Sequence, residues 1–67
     1  MNMDQKFEEL KAVLFAEGIS AIEHFLGFTI SKDAPIYPAM IEELLNEVYE
    51  QMPNEEFSLY CEIYGIL

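Results

Sequence analysis

At 67 residues the chain has room for one domain, and a domain of that size buries only about 60% of the surface its unfolded chain exposes, leaving a few kcal/mol of stability. A lone Cys61 excludes an intrachain disulfide, and a hydrophobic content of 52% with nine Phe and Tyr residues argues against a disordered acidic tail. The net charge of −10, from 13 acidic residues against Lys6, Lys11 and Lys32, argues against direct binding to nucleic-acid phosphate or to anionic lipid. No apolar run approaches the length of a membrane span and no leader pattern opens the chain, so a cytoplasmic location is expected.

In chain order, Asn2 is placed to cap a first helix over 3–17, with Gln5 completing a capping box and Met3, Phe7, Leu10, Val13 and Leu14 forming its apolar stripe. Gly18 is expected to end that helix in a left-handed turn, with Ile19 folding back onto Leu14 in a Schellman motif. Ser20 and Glu23 then read as a capping box for a short second helix over 20–26, which Gly27 stops. Phe28, Thr29 and Ile30 are too few to build a sheet and read as an extended linker whose Phe and Ile tuck into the core. Residues 31–35 have loop composition and form the one expected hinge.

The third helix, over 38–52, is the most regularly periodic segment. Ile41, Leu44, Leu45, Val48 and Met52 form one face, Tyr37 and Tyr49 its margins, and Glu42, Glu43, Asn46, Glu47 and Glu50 the other side. No Lys or Arg stands on this helix, so the like-charge pairs among Glu43, Glu47 and Glu50 cost about 0.2–0.5 kcal/mol each. Asn54 is expected to cap a fourth helix over 55–64, with Glu55 and Glu56 in its first turn and Gly65 at its end. Phe57, Leu59, Tyr60, Cys61, Ile63 and Tyr64 make it apolar nearly all round, which fits either a central core helix or an interface.

Chemistry is sparse. His24, the one histidine, would have to serve any Ser/His or Cys/His site without the glycines that position a nucleophile, and Cys61 has no neighbouring base in sequence. No Glu-x-x-His or EF-hand pattern occurs, so neither a metal, a cofactor nor catalysis is expected. Acyl carrier proteins are also small, acidic and helical, but no serine here sits in their Asp-Ser-Leu motif. Ile36, Tyr37 and Pro38 resemble the tyrosine-proline segment of the small immunity proteins that neutralise nuclease bacteriocins; the resemblance covers that handful of residues, and the helix that follows departs from it.

The resulting expectation is an all-α bundle of three main helices and one short one, residues 1–67 forming a single acidic domain. Its expected function is that of a non-enzymatic binding protein or inhibitor of phage or mobile-element type. It would dock Glu42, Glu43, Glu47 and Glu50, anchored by Tyr37 and Tyr49, on a basic protein surface such as a nucleic-acid-binding groove, with carboxylates standing in for phosphates. The alternative is a self-associating assembly protein, a homodimer through Phe57, Tyr60, Ile63, Tyr64 and Leu67, whose acidic face serves solubility alone.

Overall fold

The computed structural model describes residues 2–30 and 38–66. The hinge expected at 31–35, together with Tyr37 and Leu67, lies outside the described residues. Four helices are present, α1 (Met3–Glu17), α2 (Ile19–Leu26), α3 (Pro38–Gln51) and α4 (Asn54–Ile63), with no strand among the described residues. The fold is therefore all-helical.

Each helix boundary follows from a local device. Asn2 accepts the Gln5 amide at 2.8 Å while the Gln5 side chain accepts the Asn2 amide at 3.2 Å, the reciprocal capping box that fixes the start of α1. At the other end, Gly18 has φ 114° and ψ −177°, a region open essentially to glycine alone. This is not the Schellman turn expected there. Gly18 is at once the last cap of α1 and the first of α2, and Ile19 opens α2 with a largely exposed side chain instead of folding back. The Schellman motif occurs at the far end of the chain, where Ile66 N–H bonds to Cys61 C=O at 2.7 Å and Gly65 N–H to Glu62 C=O at 3.2 Å. That turn carries Ile66 into the core.

Two further caps differ from expectation. α2 has no side-chain cap, because Ser20 already lies inside it, and Glu23 is used elsewhere: its carboxylate accepts the Ile30 amide at 2.7 Å, pinning the segment after Gly27 back onto α2. Ile30 packs against the core, but Phe28 stays about half exposed and does not tuck in. α4 starts one residue early, with Pro53 rather than Asn54 at the cap. Pro53 gives up no hydrogen bond by standing at a position that needs none.

The core is built from Phe7, Leu10 and Leu14 of α1, Ile22, Phe25 and Leu26 of α2, Ile41 and Leu45 of α3, and Phe57 and Cys61 of α4, closed by Ile66. Helices α1 and α3 run antiparallel. Phe7 meets Tyr49 and Lys11, one turn on, meets Asn46 and Glu42, so the numbering falls on α3 as it rises on α1. An aromatic cluster ties α4 to this pair: Phe7 and Tyr49 stack with centroids 4.0 Å apart, and Phe57 packs edge-on to both at 6.3 and 4.9 Å. Each such pair adds about 0.5–1.5 kcal/mol beyond area burial, a sizeable share for a domain this small.

Candidate functional site

At about 100° per residue, the core side of α3 centres between Ile41 and Leu45, and Glu43, Glu47 and Glu50 fall at the opposite pole. All three are exposed. Glu42 and Asn46 fall instead on the flank that faces α1, and there the fold brings them a cation. Lys11 Nζ lies 3.1 Å from Glu42 Oε1, 3.0 Å from Glu8 Oε1 and 3.5 Å from Asn46 Oδ1, and 4.8 Å from the centroid of the Phe7 ring. Lys11 is only 6% exposed, its stem lying along the apolar seam between α1 and α3. Burial pulls its pKa down, but hydrogen bonds and charge from Glu8 and Glu42 outweigh it and leave the pKa raised. Sequence reasoning missed this cluster. The clue was available: Lys11 sits four residues after Phe7 and three before Leu14, a basic residue within the apolar stripe, which must reach a carboxylate to stay charged there.

Glu42 is therefore committed to an intrachain ion pair, and Glu43, Glu47 and Glu50 make up the remaining acidic edge. Among the described residues no ion pair reaches them. Tyr49, expected as a docking anchor, is half-buried against Phe7. Its phenol pKa is raised, first by burial and then by the charge of Asp4 and a hydrogen bond to that carboxylate. Tyr49 is thus a structural strut between α1, α3 and α4.

The residues assigned to self-association separate on α4. Phe57 is 1% exposed and belongs to the core, while Tyr60 and Tyr64 are half-buried against it. Ile63 is 70% exposed, and Leu59, four residues earlier, is 59% exposed. Glu55 and Glu62 are exposed on the same outer side. Cys61 is buried, and burial pushes its thiol pKa up, with Lys6 partly opposing; a buried protonated thiol is a poor nucleophile. His24 lies at the end of α2, its ring edge-on to Tyr60 with centroids 6.1 Å apart. Among the described residues no cluster of His, Cys, Asp and Glu suits a metal ion, and no helix is long and apolar enough to cross a membrane. Comparison of the chain with protein-family models, curated proteins and solved structures finds no match in any of the three.

Proposed function

We propose that this chain is a non-enzymatic binding protein or inhibitor that docks the outer edge of α3 on a basic surface of another protein, its carboxylates taking the place of nucleic-acid phosphates. The observation that carries this reading is the division of the α3 acids. Glu42 is paired with Lys11 at 3.1 Å, a cation it shares with Glu8, whereas Glu43, Glu47 and Glu50 stand in solvent with no described cation brought to them. Like-charge pairs one turn apart oppose the helix they stand on, so that edge is not explained by stability. A uniform negative edge on a chain of net charge −10 steers encounter with a positive surface and accelerates it, an effect that salt suppresses. The partner follows from charge: a nucleic-acid-binding protein has a groove of the required sign, and duplex DNA should then compete with this chain for it. A phage or mobile-element origin and a cytoplasmic site of action suit this role.

The test is capture of basic proteins by the immobilised chain at low and high salt, with duplex DNA as competitor. Recovery that falls steeply with salt and is displaced by DNA supports the proposal. Recovery indifferent to both removes it.

A second reading, a self-associating assembly protein, is favoured by Leu59 and Ile63, which the fold leaves exposed one turn apart. It predicts a homodimer that tightens as salt screens the acids, detectable by sedimentation across a concentration range. A monomer at every concentration and salt would dismiss it.

A further inference from the structure

Between the end of α2 and the α3–α4 turn lies a shallow groove of about 290 Å³, broadly open to solvent. Leu26, Val48, Met52 and Pro53 supply apolar walls, and Tyr60 supplies an aromatic surface. Among the described residues the only acidic side chain lining it is Glu56, in the first turn of α4 and one turn before Tyr60, on the same flank of the helix. Two helix C-termini border it, Leu26 and Gly27 at the end of α2 and Gln51 and Met52 at the end of α3. The last turn of α3 holds no basic residue, and that of α2 holds His24, which also lines the groove. Each C-terminus carries partial negative charge on carbonyls that have no partner within their helix, and the field in the groove adds to that of Glu56.

An apolar slot, a ring and a carboxylate, all in a negative field, match one kind of guest: a long aliphatic stem ending in a planar cation. We propose that this groove receives an arginine side chain of the basic partner, its stem against Met52 and Pro53, its guanidinium against the Tyr60 ring and paired with Glu56. Guanidinium is favoured over ammonium because it is planar, weakly hydrated and able both to stack and to pair with a carboxylate. A second copy of this chain cannot supply the guest, since the sequence contains no arginine. A single carboxylate is too few for a metal ion, and a groove this small and open covers too little of a larger organic ligand. The inference rests on the reading that a basic protein is the partner; it places the anchor on the α2–α4 side, separate from the acidic edge of α3.

The experiment is a titration of the full ¹⁵N-labelled chain with N-acetyl-arginine methylamide, followed by amide chemical shifts, with the citrulline analogue as neutral isostere. Saturable shifts are expected at Gly27, Met52, Glu56 and Tyr60, with no saturable response to citrulline. Glu56→Gln should weaken arginine binding about threefold to fivefold, the loss of one exposed charge pair, with the amide spectrum otherwise that of the native fold. Glu43→Gln/Glu47→Gln/Glu50→Gln should leave this titration nearly unchanged. Shifts spread evenly over all acidic positions, an equal response to citrulline, or no loss with Glu56→Gln would each overturn the assignment. Because the probe is a single amino acid, the two proposals fail separately. Groove binding without salt-sensitive capture of basic proteins would uphold the groove and remove the α3 docking surface, while capture with a silent groove would do the reverse.

Discussion

Helices α3 and α4 carry similar shares of apolar and acidic residues, yet they divide them differently. On α3 the core face and the acidic pole are opposite each other, and the one acid near the seam, Glu42, is taken by Lys11. On α4 the outer side mixes Leu59 and Ile63 with Glu55 and Glu62, so apolar side chains remain in water although Phe57, Cys61 and Ile66 already satisfy the core. Periodicity therefore decides which α3 residues are outside. On α4 only the position of the neighbours decides, because its apolar side chains fall on both the core side, at Phe57 and Cys61, and the outer side, at Leu59 and Ile63.

The largest expected effect is on the buried side of α4. Phe57→Ala should cost about 3–5 kcal/mol, most of the stability of so small a domain, whereas Ile63→Ser should change stability by no more than about 0.5 kcal/mol. Urea denaturation of both variants makes the comparison. Equal costs would mean that the two sides of α4 are not distinct. Next comes the seam: Lys11→Ala should cost about 1–2 kcal/mol, chiefly through lost stem packing, and Lys11→Met clearly less, because Glu8 and Glu42 are largely hydrated without it. If Met were as harmful as Ala, charge rather than packing would hold α1 to α3.

Alkali should weaken the fold as a whole. Tyr49, Tyr60, Cys61 and Lys11 all have raised pKa values in the folded chain. Stability from each is fully present below its ordinary unfolded value and is lost as pH rises through the folded one. Denaturation midpoints should therefore fall from about pH 8 to about pH 11, with a shallower fall in Tyr49→Phe. The smallest effect belongs to the acidic pole. Converting Glu43, Glu47 and Glu50 together to Gln should stabilise slightly, by about 0.2–0.5 kcal/mol for each like-charge pair removed. A lower melting temperature would reveal partners for these carboxylates within the fold.

The four helices were legible from local devices: the Asn2 and Gln5 box, the positive-φ glycines 18, 27 and 65, and Pro38 in the first turn of α3. What could not be read locally was how a device is used. Gly18 and Gly65 look alike in sequence, but α2 begins immediately after Gly18 and leaves no residue to fold back, while Ile66 is free to do so. Glu23 has the spacing of a capping acid, yet the Ile30 amide seven residues on claims it. The acidic face was legible as charge. Its division was not, since the pairing of Lys11 with Glu42 spans 31 positions and depends on the antiparallel α1–α3 register.

The most direct test of the docking edge compares two variants with the same three negative charges removed: Glu43→Gln/Glu47→Gln/Glu50→Gln on α3, and Glu9→Gln/Glu17→Gln/Glu62→Gln, exposed positions elsewhere. Affinity for a basic partner recovered by the native chain is measured for both by calorimetry at low salt. Docking through the α3 edge predicts that the first variant loses binding and the second keeps most of it. Equal losses would show that net charge alone draws the partner, and equal retention that the α3 carboxylates take no part.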